Sequence, residues 1–93
     1  MYSWGYGEEG QLGHGNTDDS YEPRKLDYFT SKGLKVAFVA AGHSHSGAIT
    51  EAPYDGATTQ LYLWGSNPDN RLMQEDTENR LYPCTTILEQ VKL

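Results

Sequence analysis

Residues Tyr2 to Pro23 superimpose on Tyr62 to Pro83 with a shift of sixty residues and no gap. Six of the 22 aligned positions are identical: Tyr2/Tyr62, Trp4/Trp64, Gly5/Gly65, Leu12/Leu72, Thr17/Thr77 and Pro23/Pro83. Chance supplies about one such match, so the chain contains a repeated unit. Both tryptophans occupy the same place in the two copies, each in an aromatic-x-Trp-Gly step that ends a short apolar run. Fewer than two copies are present. A unit of this kind leaves apolar surface for its neighbour to cover, which sets it apart from a self-sufficient domain.

The segments between these landmarks read as strands. Lys35 to Ala41 is a nearly continuous apolar run between Gly33 and Gly42, the pattern of a strand buried on both faces, and is expected to lie deepest. Ser46 to Thr50 is short and mixed, and Gln60 to Trp64 alternates Leu61 and Leu63 with Tyr62 and Trp64. Gly10 to Pro23 is turn-rich, after which Pro23 or Pro83 opens a last short strand near Leu26 or Ile87. No segment shows a helical period. The order is third strand, long loop, fourth strand, followed by one complete set of four. Four-stranded sheets recurring every 40 to 50 residues or so are the mark of β-propeller blades. An insertion at Glu51 to Thr59 accounts for the longer spacing here.

Composition agrees with a unit that cannot stand alone. Leu, Ile, Val and Phe number sixteen of 93 residues, about 17%, below the roughly 20% at which charged chains begin to look disordered. Seven Tyr and two Trp offset part of that deficit, so the expected core is aromatic. The net charge of −6, with seven scattered basic residues, opposes direct nucleic-acid binding. No apolar run is long enough to span a membrane, and no basic and apolar leader opens the chain. A cytoplasmic or nuclear location is therefore expected, and the single Cys84 is compatible with a reducing compartment.

The stretch YSWGYGEEGQLGHGNTDDSYEPRKL, followed by VAFVAAGHSHSGAIT and LYLWGSN, resembles the repeat of the RCC1 (regulator of chromosome condensation) family. The Trp-Gly step, Gly-Gln-Leu-Gly at 10 to 13 and Ala-Ala-Gly-x-x-His at 40 to 45 stand in that family's order and spacing. The resemblance implies an all-β fold of four-stranded antiparallel blades belonging to a seven-bladed propeller. Residues 1–30 would form the C-terminal half of one blade, and 31–93 one complete blade with an inserted loop at 51–59. A start inside a strand fits a slice of a larger ring, completed by further blades or by other copies of the chain. Structural roles then fall to Trp4, Gly5, Gly13, Gly42, His45, Trp64 and Gly65, with both tryptophans between adjacent blades and the His45 ring hydrogen-bonded to neighbouring backbone. The second copy departs from the pattern where Asn70, Arg71, Leu72 and Met73 replace Gly-Gln-Leu-Gly.

Three motifs suggest chemistry without supporting it. Gly5-Tyr6-Gly7-Glu8-Glu9-Gly10 matches a dinucleotide fingerprint, but no helix begins after it to receive a pyrophosphate, and two carboxylates would repel one. Gly42-His43-Ser44-His45-Ser46 lacks the second glycine of a nucleophile elbow. His43 and His45 have no local third metal ligand, His14 and Cys84 being distant in sequence. No catalytic group, cofactor or metal is expected.

The acidic residues Glu8, Glu9, Asp18 and Asp19, with Glu51 and Asp55 of the inserted loop, are the candidate partner-binding residues. If neighbouring loops align, they form an acidic rim that favours a basic partner. The leading expectation is a protein-interaction module in a regulatory or scaffold protein. The resemblance also implies two alternatives, part of an exchange factor for a small GTPase or of a ubiquitin-ligase substrate-binding domain.

Overall fold

The computed structural model describes residues 1–52, 59–68, 72, 74 and 76–85. Asp55, most of the inserted loop, and Ile87 lie outside these. Strands β1 (Tyr2–Gly5) and β2 (Ser20–Lys25) pair antiparallel, and β2 runs into a short helix α1 (Asp27–Ser31). Strands β3 (Val36–Ala41), β4 (His45–Thr50), β5 (Gln60–Gly65) and β6 (Arg80–Thr85) follow as a four-stranded antiparallel sheet in sequence order.

The repeat is visible in the register as well as in the residues. In the first pair Tyr2 faces Lys25, Ser3 faces Arg24 and Gly5 faces Ser20. In the second, Tyr62 faces Thr85, Leu63 faces Cys84 and Gly65 faces Arg80, the same three pairs shifted by sixty. Both ladders are irregular just before the glycine, and Gly5 and Gly65 hold matching left-handed φ angles of 109° and 105°. An L side chain at either position would meet its own carbonyl, which is why Trp is followed by Gly in both copies.

The core lies between α1, with Leu26 before it, and the four-stranded sheet, and it is aromatic. Leu26, Phe29, Ala48, Tyr62 and Trp64 form its buried cluster. Phe29 meets Tyr62 at 5.2 Å and Tyr28 at 5.4 Å, both edge to face, and Trp64 at 6.0 Å. Edge-to-face contact sets the positive ring edge on the negative face of its neighbour, a gain beyond burial alone.

Three local expectations are corrected. The first concerns α1, which no periodicity signalled because five residues are little more than one turn. Its N-terminal Leu26 supplies no side-chain cap. The helix is held by Phe29 in the core, and it ends at Gly33, where φ is +67° and the amide donates to the Thr30 carbonyl at 3.1 Å.

The second concerns β3. It is the edge strand rather than the deepest one, with residues 37–41 all exposed, Phe38 at 72% and Val39 at 62%. Its apolar run reflects a need for cover that this chain does not meet. The third concerns the prolines, which lie within β2 and β6 instead of opening strands. Both are edge strands, where an outward-facing residue has no ladder bond to lose.

Candidate functional site

The loop from Tyr6 to Asp19 joins β1 to β2 and packs against the four-stranded sheet. Its turns are closed by Gly10 donating to the Gly7 carbonyl at 2.9 Å and Gly13 to the Gly10 carbonyl at 3.0 Å. These turns direct the Gln11 carbonyl into the second sheet. There it accepts from the Trp64 indole Nε1 at 2.9 Å and from Ser46 Oγ at 2.8 Å. Gly13 lies so close that a Cβ would sit 2.8 Å from the Trp64 ring nitrogen. Gly15 donates to the Leu81 carbonyl at 2.9 Å and closes the far side. Trp64 is thereby wholly buried, while Trp4, its counterpart, is 59% exposed in this chain.

Each loop is braced by the same pair of hydrogen bonds. Asp19 Oδ1 accepts from the Gly7 amide at 2.8 Å, and sixty residues on Asn79 Oδ1 accepts from the Asn67 amide at 3.0 Å. Asn16 Oδ1 accepts from the Asp18 amide at 3.1 Å, as Asp76 Oδ1 does from the Glu78 amide at 3.0 Å. None of these is an identical residue pair, so a search for identities overlooks them. The signal is a side-chain oxygen recurring at the same register. Asn67 is fully buried without any motif to mark it; its Oδ1 accepts from the Leu72 amide and its Nδ2 donates to the Asp76 carbonyl, both at 2.9 Å.

The two loops touch through their polar residues. Asn79 Nδ2 donates to Glu9 Oε2 at 2.8 Å. Glu8, Asp18, Asp19 and Glu78 are exposed around this contact, whereas Glu9 is partly buried and engaged. Arg80, a cation among the described residues of this loop end, is bound to Asp76 at 2.9 Å, and its hydrogen bond holds the Asp76 carboxyl below the ordinary carboxylate range.

Glu51 does not join this group. His45 faces Gly65 at the loop end of the sheet and Thr50 faces Gln60 at the other, so Glu51, six residues beyond His45, lies about 20 Å away along the strand. Its amide donates to the Lys35 carbonyl at 2.8 Å. Asp55, the remaining acidic candidate, is not among the described residues.

The histidines and the cysteine are dispersed. His14 Nε2 lies 3.0 Å from Ser3 Oγ, and burial followed by the charge of Arg24 holds its imidazole below the ordinary pKa of 6.5. The His45 ring lies against Gly42, where a Cβ would come within 2.7 Å of it. The expected hydrogen bond from that ring is missing at Nδ1, which is buried without a partner among the described residues. Burial raises the pKa of the Cys84 thiol. No helix among the described residues is long and apolar enough to cross a membrane.

The model of the "Regulator of chromosome condensation (RCC1) repeat" matches residues 1–49, which span β1 through most of β4. The chain belongs to the RCC1 repeat family. The RCC1 relationship extends to long proteins. The human E3 ubiquitin-protein ligase HERC2 is 40% identical over 83 residues, covering 89% of this chain and 2% of that protein. The mouse RCC1 domain-containing protein 1 is also 40% identical over 83 residues, covering 86% and 20% respectively. The Arabidopsis thaliana ultraviolet-B receptor UVR8 is 37% identical over 83 residues, covering 89% and 17%. The chain thus spans a fifth or less of each of these RCC1-repeat relatives.

Proposed function

We propose that the chain is a non-catalytic protein-interaction module of a larger RCC1-repeat protein, and that it offers its acidic loop rim to a basic surface. The bond from Asn79 to Glu9 carries this reading, because it holds the loops of two repeats side by side. Carboxylates from both copies then share one edge. Backbone-bracing bonds from Asp19 and Asn79 fix the loops, so little ordering entropy is lost when a partner docks. A cluster of exposed like charges speeds encounter with an oppositely charged surface and weakens as salt is added.

Substrate capture within a ubiquitin ligase is a more specific version of this role, favoured by the 40% identity to the ligase HERC2. The rim is tested by replacing Glu8, Asp18 and Glu78 together with alanine in the full-length parent protein. Capture of its basic partner should fall several-fold, with a flatter salt dependence, while Glu51→Ala, at the far end of the sheet, leaves capture unchanged. Equal capture by all three proteins contradicts the assignment.

A further inference from the structure

The basic residues are scattered along the sequence, yet the fold gathers four of the seven at one end. Strand β2 leaves the loop end at Ser20 and reaches Arg24 and Lys25 about 13 and 17 Å away. Lys32 follows α1, and Lys35 precedes β3, whose first residue Val36 faces Thr50 at the end of the sheet remote from Gly65. All four are exposed, and none lies within ion-pair distance of a carboxylate among the described residues. Arg80, at the loop end, is instead bound to Asp76. The described part of the chain is thus polarised, with carboxylates on the loops and unpaired cations at the opposite end.

Lys32 and Lys35 are the centre of this surface. They lie in the connection from α1 to β3, with the strand pair before it and the four-stranded sheet after it both in place. Three main-chain bonds hold that connection: the Gly33 amide donates to the Thr30 carbonyl at 3.1 Å, the Leu34 amide to the Phe29 carbonyl at 2.9 Å and the Glu51 amide to the Lys35 carbonyl at 2.8 Å. Lys32 Nζ rests over the Tyr28 ring, 5.0 Å from its centroid. A cation held in this way loses little freedom on meeting an anion. Asp27 and Glu51 are exposed at the same end, so the surface is interrupted by acids and is not a continuous basic track. A nucleic acid, with a phosphate at every nucleotide, would set charge against Asp27 and Glu51 and meet the repulsion of a chain of net charge −6. A polypeptide can place carboxylates opposite the lysines and neutral residues opposite the acids.

We propose that this end, centred on Lys32 and Lys35 with Arg24 and Lys25 at the same end, is a second interaction surface that takes an acidic segment of another polypeptide, its carboxylates spaced by neutral residues. The chain then meets partners of opposite charge at its two ends, basic at the loop rim and acidic here. Carboxylates on the rim turn an acidic segment away from the wrong end, which gives the pairing a direction. This surface shares no residue with the rim, and its test does not depend on the rim.

The probe is a synthetic peptide of alternating Glu and Ser, titrated into the full chain at about 50 mM salt and followed by amide NMR signals. Saturable shifts should centre on Lys32, Gly33, Leu34 and Lys35, and affinity should fall several-fold at about 300 mM salt. Lys32→Gln and Lys35→Gln together should weaken binding by about fivefold or more. Lys32→Arg and Lys35→Arg together, which keep both charges, should retain it. Alanine replacement of Glu8, Asp18 and Glu78 in the rim should leave the shifts on the same residues. The proposal is overturned if no signal between Thr30 and Lys35 moves at about 1 mM peptide, if the shifts fall on the loops, if the double Gln variant binds as the wild type does, or if an oligodeoxythymidylate of equal charge binds more tightly than the peptide.

Discussion

Gly13 and Gly33 have similar left-handed backbones, with φ of +76° and +67°, in very different surroundings. A Cβ on Gly33 meets nothing within 4 Å, whereas one on Gly13 falls 2.8 Å from Trp64 Nε1 and 3.0 Å from Leu26 Cδ2. Gly33→Ala should therefore cost about 1 kcal/mol of backbone strain. Gly13→Ala should cost about 3 kcal/mol, since overpacking adds to the strain. Urea midpoints of the two variants measure the difference, and equal losses would mean that the loop does not bear on Trp64.

A second prediction at this scale concerns pH. Because the folded state lowers the His14 pKa below 6.5, the unfolded chain takes up that proton more readily. Stability from this site is held above pH 6.5 and lost as pH falls through the lowered folded value. His14→Gln, which installs the residue found at position 74, should flatten the urea-midpoint profile in that window. An identical slope in wild type and variant would assign the acid sensitivity to other groups.

Among the elements, α1 depends most on tertiary contact. Phe29 is 2% exposed and touches Tyr28, Tyr62 and Trp64, so Phe29→Ala should cost about 3 to 5 kcal/mol. Circular dichroism in the aromatic region should collapse with it; retention of that signal would show that the rings are ordered without Phe29. This helix was also the element least legible in the sequence, since one turn pinned by a single ring leaves no periodic pattern.

The strands were legible because Trp-Gly steps and glycine boundaries recur at fixed spacing, as with Tyr62 to Gly65. Depth was not. The run from Val36 to Ala41 reads as buried whether its cover comes from the same chain or from elsewhere, and here the strand lies at an edge. Of the acidic candidates, Glu8 and Asp18 could be grouped from their place in the loop. The remoteness of Glu51 could not be read, because it depends on which end of β4 faces Gly65.

For the whole molecule, the sixty-residue repeat means that one set of contacts is built once and left open once. The first loop closes over Trp64, while the equivalent face at Trp4 stays uncovered. The shortage of aliphatic residues follows, since a repeat draws burial from its neighbour as well as from itself. Six of the thirteen acidic residues, Glu8, Glu9, Asp18, Asp19, Asp76 and Glu78, lie in the two loops that the Asn79–Glu9 bond joins.

Hydrogen exchange at the two indole N–H groups tests this asymmetry most directly. One signal, absent in Trp64→Phe, should be strongly protected by its bond to the Gln11 carbonyl and should lose protection in Gly13→Ala. The other, absent in Trp4→Phe, should exchange at close to the rate of an open indole. Equal protection of the two, or a Trp64 signal indifferent to Gly13→Ala, would contradict the arrangement described.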